Sequence, residues 1–243
     1  MSLQRLPDDR LQILPFYLVA DQSGSMRNDI DFLTAGLQNL IYEARQNSQF
    51  YAMVRLSVLG FGATVTPHLE LCDVRELEDM PALLATEEHT RYDLVFQDLR
   101  LRLDRDVDHI TAQGHRTYRP IIYFLTDGRP NPADQPWRAA LAALRDNSFE
   151  LRPNIVAFGV RDADPAIISD IASRPDWAFI ARERSEAATG EALRTFIDTF
   201  AHTMVGTGSA LLSGQAIVPV TAPEGYMSIE VVRDVPSGQL RRR

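Results

Sequence analysis

The sequence predicts an α/β sandwich with a mainly parallel central sheet, helices on both faces and one antiparallel edge strand. Three observations carry this. Apolar strand-like runs alternate with amphipathic helical stretches along the chain. The run PIIYFLT (120–126) is apolar throughout, as a parallel strand covered on both faces should be. Two further runs are joined only through Gly60, Phe61, Gly62 and Ala63, a connection too short for a parallel crossover, so one of them pairs antiparallel.

Taken in order, the first strand is Ile13–Ala20. A helix comes next, because Ile30, Leu33, Leu37, Leu40, Ile41 and Ala44 recur at helical spacing. Val54–Phe61 and Thr64–Leu71 form the hairpin. GFGATV between them lacks the third glycine and following helix of a dinucleotide fingerprint, so it reads as a turn. A short helix is expected around Arg75–Leu84, then a polar loop, then a long helix from Asp93 to Asp108. After the central strand Pro120–Thr126 come a helix over Trp137–Arg145, a strand over Asn154–Val160 and a short helix over Pro165–Ala172. A last strand, Trp177–Ala181, precedes a helix over Glu191–Val205, whose Leu193, Phe196, Ile197, Phe200 and Met204 make a buried stripe. The reading is one domain over residues 12–206. Residues 207–243 form a C-terminal appendage: GTGSALLSG as a flexible linker, then AIVPV and SIEVV as a weak hairpin.

Composition narrows the function. With 45% hydrophobic and 24% charged residues the chain is a globular domain rather than a disordered one. No run approaches the roughly 18 apolar residues of a membrane span, and the N-terminus lacks a signal-peptide core. Cys72 is the sole cysteine, which points to a cytoplasmic protein without disulfides. A net charge of −8 argues against nucleic acid as a partner. All 25 basic residues are arginine. Without lysine there is no P-loop lysine, no kinase strand lysine and no Schiff-base amine. The five histidines show no zinc spacing such as HExxH.

The chemistry gathers at strand ends. Ligands of a parallel α/β sheet collect at the carboxyl ends of its strands. Two strands here end on an aspartate in a polar turn: Asp21, followed by Ser23 and Ser25 in DQSGS, and Asp127 in TDG. These residues should share one rim. Their donors are all oxygen, with hydroxyls outnumbering carboxylates, which suits a hard divalent cation. Taken alone, DxSxS also fits an ordinary strand-to-helix turn.

The pattern DQSGSM after the first strand, a distant threonine before a helix, and FLTDGRPN ending a later strand resemble the metal-ion-dependent adhesion site (MIDAS) of von Willebrand factor type A (vWA) domains. They look most like the bacterial intracellular TerY-type subgroup of tellurite-resistance clusters. The resemblance implies a Rossmann-like three-layer sandwich. It implies Mg²⁺ or Mn²⁺ bound directly by Ser23 and Ser25, with Asp21 and Asp127 acting directly or through water. Thr90 matches the third hydroxyl, with Thr86 as its rival; where relatives commonly carry Gly-Gly-Thr, this chain has Glu88-His89-Thr90. The function implied is that of a non-catalytic module that binds an Asp or Glu of a protein partner. That partner would belong to a stress-response or signalling system, often with a kinase or phosphatase nearby. The alternative is a metal-dependent phosphohydrolase of the haloacid-dehalogenase type with Asp21 as nucleophile. Such enzymes want a second aspartate where Ser23 stands and a lysine that this chain lacks.

Overall fold

The computed structural model describes residues 11–85, 89–182, 185–212 and 220–229. β1 (Gln12–Asp21) leads through a 3₁₀ turn into α1 (Ile30–Gln46), the four-residue α2 (Ser48–Tyr51), β2 (Val54–Phe61) and β3 (Val65–Cys72). Next are α3 (Tyr92–Ala112), the two-residue β4 (Arg116–Thr117), β5 (Ile121–Thr126), α4 (Trp137–Arg145) and β6 (Asn154–Gly159). The chain continues with α5 (Pro165–Ile171), β7 (Ala178–Ala181), α6 (Glu186–Leu212) and β8 (Tyr226–Ser228).

The sheet order is β3-β2-β1-β5-β6-β7-β8, with β4 paired to the start of β1. β2, β1, β5, β6 and β7 run parallel, and β3 closes one edge antiparallel to β2. Alternation along β1 sorts its side chains between two cores. Leu14, Phe16, Leu18 and Ala20 face α1 and α6, whereas Tyr17 and Val19 face α3, α4 and α5. Burial on both faces explains why the central strands are apolar throughout.

Three expectations need correction. The helix expected over Arg75–Leu84 is only a 3₁₀ turn, Val74–Glu76, capped by the Asp73 side chain accepting from Arg75 N. Beyond it the chain runs irregularly along α1. Met80 N donates to Gln38 Oε1 (2.9 Å) and Leu83 N to Thr34 Oγ1 (3.2 Å), so α1 side chains meet backbone donors that a helix would satisfy internally. The last helix runs on to Leu212, through the described part of the stretch read as a linker. Gly206 and Gly208 each cost about 1 kcal/mol of helix propensity, but Met204, Thr207 and Ala210 are buried and hold the turn. A second antiparallel strand, β8, closes the opposite edge on β7, and Tyr226 anchors it by donating to Ala192 O (3.1 Å). Most of AIVPV and the end of SIEVV lie outside the described residues.

Candidate metal centre

β1 and β5 are hydrogen-bonded neighbours, with Ala20 opposite Leu125, so the residues after them emerge side by side at the carboxyl rim. Asp21 is fully buried, and both of its oxygens are engaged. Oδ1 accepts from Ser23 N (2.9 Å), which folds the loop back, and Oδ2 accepts from Thr126 Oγ1 (2.6 Å) across the strand pair. Thr126 in turn lies 2.8 Å from Tyr92 Oη, which also donates to Gly128 O at 3.1 Å. Helix α3 is thereby fastened to the rim by its first residue.

Above Asp21 the hydroxyls form a fan. Ser23 Oγ and Ser25 Oγ are 3.2 Å apart, and Ser25 Oγ donates to Asp127 Oδ1 at 3.0 Å. Asp21, Ser23 and Asp127 are buried while Ser25 is exposed, so the cluster reaches solvent through Ser25. Burial, and then the charge of Asp127, push the Asp21 carboxyl up to about 6, against the hydrogen bonds from Ser23 and Thr126. Asp127 is also raised by burial, although Ser25 and the Arg161 guanidinium pull it down.

These donors fit a small divalent cation. Adjacent ligands of an octahedral ion at about 2.1 Å stand about 3.0 Å apart, the spacing found from Ser23 to Ser25 and from Ser25 to Asp127. Two carboxylates that resist ionising together in a buried site favour a positive charge between them. Among the described residues no three His, Cys, Asp or Glu side chains group to hold a metal, so a cation here would rest on hydroxyls as much as on carboxylates.

Thr90 sits on the adjoining loop. Its backbone exchanges two 3.1 Å hydrogen bonds with Asn131, in the loop after β5, and its carbonyl accepts from Gln135 Nε2 (2.9 Å). Gln135 Oε1 receives Asp93 N at the start of α3 (3.0 Å), so one side chain straps the two loops together. No hydrogen bond joins Thr90 Oγ1 to the other four residues among those described. Thr86 and Glu88 lie outside the described residues.

Sequence reasoning missed two groups here. Arg161, just beyond the end of β6, donates to Ser25 O (2.9 Å) and to the buried carboxylate of Asp29, so it clamps the serine loop from a third strand. It does so in the left-handed region (φ 50°), at a cost of order 1 kcal/mol. The available signal was position, since Arg161 follows the neighbouring parallel strand at the same rim. Gln135 gave no signal within DGRPNPADQP. Arg129, by contrast, is largely exposed and pairs with Asp164 (3.1 Å).

No protein-family model and no curated protein matches the sequence. Solved structures do. The pilus adhesin SpaC from Lactobacillus rhamnosus GG, in its open conformation, superposes with a TM-score of 0.62 at 14% identity, over 81% of this chain and 30% of that one. A von Willebrand factor type A protein from Catenulispora acidiphila gives 0.55 at 15% identity, over 80% and 43%. The fold is that of a vWA domain. Proximal thread matrix protein 1 from the mussel byssus, with a zinc-occupied MIDAS motif, gives 0.50 at 15% identity, over 79% and 46%. The chain therefore spans less than half of each of these vWA-containing chains, and at such identities the likeness concerns architecture alone. Among the described residues no helix is long and apolar enough to cross a membrane.

Proposed function

We propose that the chain is a non-catalytic, metal-dependent interaction module that grips an acidic side chain of a partner protein. The observation that carries this is the oxygen fan in which Ser25 Oγ lies between Ser23 Oγ and Asp127 Oδ1 at octahedral-edge spacing. The zinc-occupied MIDAS of the byssus protein supports a divalent ion at such a rim. In this reading Ser23 and Ser25 hold Mg²⁺ or Mn²⁺ directly, Asp21 and Asp127 hold it directly or through water, and Thr90 supplies the third hydroxyl. Bound there, the ion offers an electrophilic position for one further oxygen. Neutral hydroxyls with at most two carboxylates leave its charge under-neutralised, which favours an incoming Asp or Glu. Ser25 is the exposed member and marks the side of approach. Arg161 fixes the serine loop, and Thr126 orients Asp21.

Asp21 is ill suited to nucleophilic attack, because it is inaccessible and both of its oxygens accept hydrogen bonds. That supports a binding role over phosphohydrolysis. On the strength of DQSGSM and FLTDGRPN, the reading assigns the module to a bacterial cytoplasmic stress-response or signalling system of the tellurite-resistance kind. Its partner is then a protein carboxylate in a kinase- or phosphatase-associated assembly.

Thermal melts across a Mg²⁺ or Mn²⁺ titration test the metal site. A ligand that binds only the folded state stabilises it by about 2.7 kcal/mol at a hundred times its Kd. The expected result is a saturable rise in Tm that Asp21→Ala abolishes. A melting curve unchanged at millimolar metal would refute the proposal.

A further inference from the structure

At the opposite end of the sheet, where β5, β6 and β7 begin, a cleft of about 470 Å³ opens between Arg119, Arg145, Arg152, Arg174 and Trp177. This falls within the volume range of small-molecule sites. The chain carries a net charge of −8, yet no carboxylate is among the residues that line this cleft. Arg174 is neutralised by a two-pronged pair with Asp176 (2.9 Å on each prong) and lies over the Trp177 ring. The other three guanidinium groups have no ion pair among the described residues. Arg145 donates to a backbone carbonyl, Asp170 O (2.7 Å), while the Asp170 carboxylate is engaged by Arg138 (2.9 Å). Arg152 reaches only Asn147 O (3.3 Å), and Arg119 is exposed without a hydrogen bond among the described residues. Three guanidinium groups without ion pairs thus line one half-enclosed cleft, while the Asp170 charge still acts on Arg145. A compact dianion suits such a cleft, since planar guanidinium groups take phosphate oxygens two at a time.

We propose that this cleft binds a small phosphate ester, with its phosphate gripped by Arg119, Arg145 and Arg152 and its organic part against Trp177. The site is separate from the carboxyl rim and needs no metal.

Titration calorimetry at low ionic strength on the full chain tests it, with AMP, inorganic phosphate and adenosine as probes. AMP should bind saturably, inorganic phosphate more weakly, and adenosine not at all. Arg119→Gln/Arg152→Gln should weaken AMP by about tenfold or more, while its Tm and metal response stay those of the parent. Asp21→Ala should bind AMP unchanged, which separates this site from the metal centre. Absence of saturable heat with AMP at millimolar concentration, or an unaltered affinity in the double variant, would overturn the proposal. Inorganic phosphate binding as tightly as AMP would overturn the role given to Trp177.

Discussion

Gly60→Ala offers a sharp test of how the rim is packed. Gly60 lies on β2 opposite Ala20, and a Cβ built there would fall 1.9 Å from Gln22 Oε1, 2.1 Å from Cδ and 2.6 Å from Nε2. Gln22 is buried and cannot swing into water without giving up its 2.7 Å bond to His68 Nε2. Overpacking costs about 1–3 kcal/mol and the lost hydrogen bond about 1 kcal/mol. The alanine recovers roughly 0.5–1 kcal/mol by restricting the unfolded chain. The net destabilisation is about 2 kcal/mol, or a fall in Tm of about 4–8 °C for a chain of this size, read by urea denaturation and calorimetry. In a Gln22→Ala background the same substitution should become neutral or mildly stabilising, so the cycle changes sign. Gly128→Ala, where a Cβ meets nothing within 4 Å, should stay within about 0.5 kcal/mol. A neutral Gly60→Ala in the parent, or an equal penalty in both backgrounds, would refute the packing argument.

Thr126→Val keeps the shape but removes the hydroxyl shared by Asp21 and Tyr92, and should cost about 1–3 kcal/mol in urea denaturation. On the proposed function it also reduces the metal-induced rise in Tm. Asp73 sets a pH dependence. Burial opposes its charge, but the Arg75 side chain and backbone N–H, with Arg55, hold its carboxyl below the usual range. That contribution is fully present above the unfolded-state value of about 3.9 and is lost as pH falls through the lower folded-state value. Asp73→Asn should therefore destabilise the protein at neutral pH, with the difference in Tm narrowing in acid below about pH 4.

The fold was legible wherever one residue pattern fixed one environment. PIIYFLT announced a strand covered on both sides, and the six apolar positions of α1 named its buried face. Legibility failed where tertiary contacts override local preference. In the irregular stretch after the 3₁₀ turn, Met80 N and Leu83 N are met by Gln38 and Thr34, which no local pattern reveals. Gly206 and Gly208 suggested a linker because propensity says nothing of Thr207 being buried. At the rim, Asp21, Ser23, Ser25 and Asp127 could be grouped because strand ends of a parallel sheet converge. Arg161, Asp29 and Gln135 could not, since their roles depend on which loops touch.

The strap made by Gln135 and Asn131 has a bearing on the backbone that enters α3. Thr90 takes its place from the segment after β5, through contacts to its own backbone, and α3 is pinned immediately beyond it by Tyr92. Thr90's backbone position is thus inherited from downstream. His89, immediately before it, lies in the left-handed region (φ 74°), which glycine adopts freely and other residues do not. The histidine therefore bears a strain of order 1 kcal/mol that a glycine at position 89 would not.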